Sequence, residues 1–244
     1  MSGHSHAKTV KATKDANAAV KGKIFSKMAR LISLAAKEGG SLEFNAKLKS
    51  AVETAKKFNM PKDNIERAIK KGTGELEGEK LESIMVEILG PGGINIIVEG
   101  ITDNKNRAMS EIKQIAQKRG CKLANEGSLK WQFEQLGVIT TSSIEEAKKE
   151  SIEMTSIESG ALDLKWQIDE DSHNYLEIIT KPEELAIVKK SLEDKGLTLE
   201  SSDLSWVAKE ELQPTESDKK IAENLFNDLD ESDSVQNIYS NLKS

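Results

Sequence analysis

The chain has 244 residues, with 41 Asp and Glu against 35 Lys and Arg, 37% hydrophobic and only 4% aromatic residues. That length supports two or three compact units with their own cores, and recurring Leu, Ile, Val and Ala exclude a disordered chain. No stretch approaches the roughly 20 apolar residues of a membrane helix. The first residues lack a secretory core segment, and the single cysteine, Cys121, excludes an internal disulfide or a cysteine-rich zinc site, so a cytoplasmic protein is expected.

Residues 1–12 have no apolar period and read as a mobile basic arm. Thr13 to Lys21 reads as a polar helix broken at Gly22. Ile24, Phe25, Met28, Leu31, Ile32, Leu34 and Ala35 recur near a 3.6 period and predict a helix stopped by Gly39-Gly40. A further helix carries Leu48, Ala51, Val52, Ala55 and Phe58 on one face. Another opens with Pro61 in its first turn, carries Ile65, Ala68 and Ile69, and ends at Gly72. Helices this short bury their stripes only by packing together, so a small bundle is expected.

After the Gly72–Gly78 linker the period becomes two. Ile84, Val86 and Ile88, then Ile94, Ile96 and Val98, predict two strands joined by the Gly90-Pro91-Gly92-Gly93 turn. That turn lacks the Lys-Ser/Thr ending of a phosphate loop and lies between strands. Asp103 or Asn104 caps a helix burying Met109, Ile112, Ile115 and Ala116. Leu129, Trp131 and Phe133 predict a third strand. Strand 138–142, helix 144–158, strands 162–168 and 174–180, helix 182–195 and strand 197–207 follow, a βαββαβ order of the ferredoxin-like type. A last helix near 217–229 and the run Val235 to Leu242 complete the preceding unit, which otherwise has three strands and one helix. The expectation is an α+β chain: a helical domain (1–76), a middle α/β domain (77–136 plus 209–244), and an inserted α/β domain (137–208).

Charge is unevenly distributed. Residues 1–72 hold 16 Lys and Arg against 6 Asp and Glu, whereas 73–244 hold 19 against 35. Phosphate contact depends on the local field and not on the whole-chain charge of −6. The candidate nucleic-acid-binding residues are Lys8, Lys11, Lys14, Lys21, Lys23, Lys27 and Arg30, with a second group at Lys56, Lys57, Lys62, Arg67, Lys70 and Lys71. Lys23, Lys27 and Arg30 are spaced four and three apart and form one ridge. Lysine ammonium groups suit phosphates and do little to read bases. A solvated helix face is the competing reading, and dipole pairing accounts for Lys70 and Lys71 nearly as well. Asn104, Lys105 and Arg107 at a helix start form a candidate anion site, against the plainer reading of a capped helix with exposed charges.

No catalytic residue, cofactor or metal is assigned. His173 reads as a solvated loop residue and Cys121 as a buried thiol. A terminus at Ser2-Gly3-His4 would chelate copper in vitro in any chain. The acidic insert, with 7 Lys and Arg against 17 Asp and Glu over 134–208, is not expected to lie against phosphates.

Several strings carry a resemblance: Gly3-His4-Ser5, Gly22-Lys23-Ile24-Phe25-Ser26-Lys27, Ala35-Ala36-Lys37-Glu38-Gly39-Gly40, and Asn59-Met60-Pro61-Lys62-Asp63-Asn64-Ile65-Glu66-Arg67-Ala68-Ile69-Lys70. So do Gly72-Thr73-Gly74, Gly90-Pro91-Gly92-Gly93, Thr102-Asp103-Asn104-Lys105-Asn106-Arg107 and Val235-Gln236-Asn237-Ile238-Tyr239-Ser240-Asn241. In this order, from end to end, they resemble the YebC/PmpR family, which includes the mitochondrial translational activator of cytochrome c oxidase subunit I. The resemblance implies three domains, the last inserted into the middle one, and a cytosolic, non-enzymatic role. Its bacterial members are described as DNA-binding transcriptional regulators, and members are also described as ribosome-associated translation factors. Nucleic acid, either DNA or ribosomal RNA, is the implied partner, with the transcription machinery or the ribosome. One departure stands out. Members commonly carry Ser-Lys-Trp after Gly-His, where this chain has Ser5-His6-Ala7, so the arm lacks a cation and an aromatic ring.

Overall fold

The computed structural model describes residues 18–169 and 172–243. Lys8, Lys11 and Lys14, and the start of the expected polar helix, lie outside the described residues. The described residues form two compact units: residues 18–131 with Glu210–Lys243, and Gln132–Lys209.

The first unit opens with three helices, α1 (Ala18–Ala36), α2 (Ala46–Lys57) and α3 (Lys62–Thr73). Ile24, Met28, Ile32 and Ala36 recur every four residues on α1, so they form one stripe. The stripe packs on Leu48, Ala51, Val52 and Ala55 of α2 and Ile65 and Ala68 of α3. Gly22 does not break the helix: α1 runs through it. A glycine costs about 1 kcal/mol inside a helix, less than burial of the adjoining stripe supplies. Asn45 caps α2 by accepting from the Leu48 amide. The expected end of α3 at Gly72 moves to Gly74, whose φ of 82° is the left-handed stop. Gly72 instead marks a helix crossing. A Cβ there would lie 2.3 Å from the Ser33 carbonyl oxygen and 2.6 Å from the Ala36 Cβ.

Strands β1 (Glu82–Leu89) and β2 (Asn95–Thr102) form the expected hairpin, followed by α4 (Lys105–Lys118) and the two-residue β3 (Lys122–Leu123). The strand expected at Leu129, Trp131 and Phe133 is absent as such. Lys130–Gln132 is a 3-10 turn, and Phe133 begins a strand of the second unit. The physical reason is Glu87, only 3% exposed. Its carboxylate accepts from the Gly127, Leu129 and Lys130 amides at 2.5, 2.5 and 3.1 Å. Backbone donors taken by a carboxylate are not available to a strand ladder.

The second unit contains β4 (Phe133–Thr141), α5 (Lys149–Glu158), β5 (Asp163–Ile168), β6 (Asn174–Thr180), α6 (Leu185–Asp194) and β7 (Leu199–Ala208). All its strand pairs are antiparallel, in the order β5-β6-β4-β7, the ferredoxin-like arrangement. Its core is built from Ile139, Ile144, Leu176, Ile178, Val188 and Leu192.

The chain then returns to the first unit through α7 (Glu216–Asp230) and β8 (Val235–Ser240). Strand β8 pairs antiparallel with β2, completing the order β3-β1-β2-β8. Ala222, Leu225 and Leu229 of α7 join Ile112 and Ala116 of α4 on this sheet. Asn241 fastens the return: its Oδ1 accepts from the Asn95 amide at 2.9 Å, and its Nδ2 donates to the Gly93 carbonyl at 3.2 Å. No helix among the described residues is long and apolar enough to cross a membrane.

Two glycines of the bundle give opposite expectations. Gly72→Ala forces a helix crossing apart and should destabilise the protein by about 1–3 kcal/mol in urea titration. Gly22→Ala meets nothing within 4 Å and should stabilise it by about 0.5–1 kcal/mol. Equal effects of the two would contradict the close approach at Gly72.

Candidate nucleic-acid interface

Lys23, Lys27 and Arg30 lie at steps of four and three along α1 and share a face, which Lys37 extends in the turn just past the helix end. The structure turns this face toward the loop between α7 and β8. The Lys27 ammonium is buried and donates to the Asp230 carbonyl at 2.8 Å and to its carboxylate at 2.9 Å. Arg30 donates to the Asp233 carbonyl at 2.7 Å and to the Ile101 carbonyl at 3.5 Å. Lys23 pairs with the Glu231 carboxylate, and Lys37 donates to the Leu81 carbonyl. The ridge read from the sequence as a phosphate contact is thus engaged in contacts within the chain, with Lys27 buried and Lys23 and Arg30 part-exposed.

The sequence of α7 explains why cations are needed there. The helix has no basic residue in its last turn. Asp228, Asp230, Glu231 and Asp233 instead crowd an end that the helix dipole already makes negative. Relief comes from other elements: α1 supplies Lys23, Lys27 and Arg30, and the end of α4 supplies Arg119. The Arg119 guanidinium grips Asp228 through Nε at 2.8 Å and Nη2 at 3.0 Å, the paired geometry that suits a carboxylate. Its hydrogen bonds hold the Asp228 carboxyl below the usual range and push the Arg119 guanidinium up. The hydrogen bond to Glu231 raises Lys23.

The second basic group lies outward. Lys21, Lys56, Lys57, Lys62, Arg67, Lys70 and Lys71 are all exposed. Lys62 reaches Glu66 at 3.5 Å. Lys56, Arg67, Lys70 and Lys71 have no ion-pair partner among the described residues. Arg67, Lys70 and Lys71 are helix neighbours, and the stem of Lys71 lies over Gly78, 3.3 Å from where a Cβ would stand. This packing leaves the Lys71 head in solvent. The outer row is a surface of accessible positive charge.

At the start of α4, Asn104 is the N-cap and accepts from the Arg107 amide at 3.1 Å. The Arg107 guanidinium pairs with Asp103, and Lys105 is exposed. The cap and the arginine are therefore satisfied locally. Burial raises the Cys121 thiol, and His173 Nδ1 sits 3.4 Å from an Asp169 carboxylate oxygen at the surface. Among the described residues, no three His, Cys, Asp or Glu side chains converge as metal ligands. Sequence reasoning missed the role of Asp230, Glu231 and Asp233. Their signal was a helix ending in acidic residues with no cation in its last turn.

Residues 5–75 match the family model described as the TACO1/YebC protein N-terminal domain, and residues 81–242 match that of the TACO1/YebC second and third domain. A probable transcriptional regulatory protein of Caldanaerobacter subterraneus is 41% identical over 244 residues, covering 100% of this chain and 98% of the relative. One of Thermotoga maritima is also 41% identical, over 100% of this chain and 94% of its own. The crystal structure of a conserved hypothetical protein from Aquifex aeolicus superposes with a TM-score of 0.83 at 39% identity, covering 93% of this chain and 91% of that one.

The contacts at the end of α7 yield two measurable expectations. In a double-mutant cycle, Lys27→Met and Asp230→Asn should couple by about 1 kcal/mol; additive effects would contradict the contact. The Asp228 pair stabilises the fold above the ordinary Asp value, about 3.9, and this contribution disappears as pH falls through the lower native value. The stability gap between the unaltered protein and Asp228→Asn should therefore be constant near neutrality and close in acid. A gap that widened in acid would reverse the sign.

Proposed function

The chain belongs to the TACO1/YebC family, and on that premise we propose that it is a cytoplasmic, non-enzymatic regulator of gene expression that binds nucleic acid through phosphates. The observation that carries this reading is the outer row of the bundle: Lys56, Lys57, Lys62, Arg67, Lys70 and Lys71 are exposed together on a segment with a large cationic excess. The arm residues Lys8, Lys11 and Lys14, with Lys21, extend the same charge in sequence. Lys23, Lys27 and Arg30 act differently, as the contact that holds α1 to the α7–β8 loop. The relatives are named probable transcriptional regulatory proteins, which supports a role in transcription; DNA is the target proposed for that role.

One feature favours a second reading, a translation factor on ribosomal RNA. The exposed side chains of α3 are Lys, Arg, Asp and Glu, with Thr73 at its last position, and no exposed Asn or Gln. Such a face grips phosphates and is poor at reading base edges in a duplex groove. Structured RNA is bound by shape and backbone and demands no such code. Of Asn104, Lys105 and Arg107, the exposed Lys105 is the one open to an additional anion contact in either reading, the other two being engaged at the cap and with Asp103.

Replacing Arg67, Lys70 and Lys71 together by Glu should weaken nucleic-acid binding at least tenfold and flatten its logarithmic salt dependence by about 2–3. Thermal unfolding should move little, because surface changes of this kind cost within about 0.5 kcal/mol each. Unchanged affinity and salt dependence would discard the outer row. Crosslinking in growing cells, followed by sequencing of the bound nucleic acid, separates promoter DNA from ribosomal RNA.

A further inference from the structure

The first 76 residues contain three aromatic rings, Phe25, Phe44 and Phe58. Phe25 packs against the bundle core and Phe58 is 4% exposed within it. Phe44 is 86% exposed, the most exposed large hydrophobic residue among those described. It contributes almost nothing to the core, and leaving a whole ring in water is unfavourable.

The ring is not on a loose tip. Phe44 directly precedes Asn45, which is buried and tied on every side. The Asn45 amide donates to the Ser41 carbonyl at 3.0 Å, and its side chain donates to the Ala35 and Gly39 carbonyls at 2.8 and 2.7 Å. Its Oδ1 accepts from the Leu48 amide at 2.9 Å. The backbone that carries Phe44 is therefore fixed before any ligand arrives.

This loop also sits beside the cationic end of α3. A Cβ on Gly40 would lie 2.8 Å from Thr73 Cγ2 and 3.6 Å from Ile69 Cγ2. Arg67, Lys70 and Lys71 lie on the last turns of the same helix, on its exposed side. A solvent-facing ring thus stands on a loop with a well-anchored backbone, and at Gly40 that loop meets the helix end whose exposed side carries cations without ion-pair partners. The only other exposed large apolar side chain on this loop is Leu42, at 39%, too little for a protein-docking patch.

We propose that Phe44 is a stacking platform for an unpaired base, with Arg67, Lys70 and Lys71 holding the adjoining phosphates, so that this end of the bundle prefers single-stranded nucleic acid. The assignment rests on the phosphate-binding reading above and deepens it. Every base offers a π face, so stacking is tolerant of sequence. In a duplex the bases stack on one another and leave the ring no partner. The same site takes an unpaired RNA or DNA segment, since both present a base and a phosphate.

The test compares binding of a short oligouridylate, its deoxy counterpart and a DNA duplex of equal length. Phe44→Ala should lower the ratio of single-strand to duplex affinity about tenfold. Phe44→Trp should preserve or raise that ratio, whereas Phe44→Leu, apolar but without a ring face, should lose it. Equal affinities for the two single strands place the recognition in base and phosphate; a preference for the oligouridylate that Phe44→Ala removes places the stacked base in RNA. An unchanged ratio in Phe44→Ala, with binding still lost on replacing Arg67, Lys70 and Lys71 by Glu, overturns the stacking role alone. Binding that survives both sets of changes overturns the phosphate reading as well. A dimer that dissociates on Phe44→Ala while oligonucleotide affinity is unchanged would show that the ring joins two copies of the chain instead.

Discussion

Helix α7 ends in a way that it cannot stabilise by itself. Its dipole places negative charge at the C-terminus, and the sequence adds Asp228, Asp230, Glu231 and Asp233 with no cation in the last turn. Arg119 answers from α4, and Lys23, Lys27 and Arg30 answer from α1. This meeting of charges joins the first helix of the chain to its last helix and strand. It draws together pieces some 200 residues apart in sequence, with the inserted unit lying between them in the chain.

The same contact divides the positive charge of the bundle into two rows with different consequences. On the inner row, ammonium and guanidinium groups meet carbonyls and carboxylates, and Lys27 is nearly out of water. On the outer row they face solvent from short helices whose apolar sides are already buried. Exposed cations on a rigid base are ready to displace the counterions of a polyanion without rearranging the protein. The stacking proposed for Phe44 would add a contact that charge alone does not give. The acidic insert has a separate core and a ferredoxin-like sheet.

Periodicity made much of the fold legible. The recurrence of Ile24, Met28 and Ile32 near a 3.6 period, the alternation through Ile84 to Ile88, and the βαββαβ order of the insert all follow from which residues must face a core. Two kinds of feature were not legible. Leu129, Trp131 and Phe133 alternate like a strand, but a buried carboxylate from Glu87 takes the backbone donors that a strand would need. Lys23, Lys27 and Arg30 are spaced to form a ridge, and they do. Spacing along a helix identifies a shared face but not what that face meets, and here it meets residues from the other end of the chain. Phe44 went unremarked because exposure is a property of packing, and one phenylalanine between two helices looks like any other turn residue.

The central claim is that the two rows of cations have opposite roles, one internal and one open to a polyanion. Residue-by-residue lysine acetylation, read by mass spectrometry with and without nucleic acid, tests this directly. The account predicts that Lys27 reacts slowly in the free protein and is unaffected by nucleic acid, whereas Lys70 and Lys71 react readily and become protected when nucleic acid binds. A Lys27 that reacts readily in the free protein and is shielded by nucleic acid, with Lys70 and Lys71 unchanged, would contradict it.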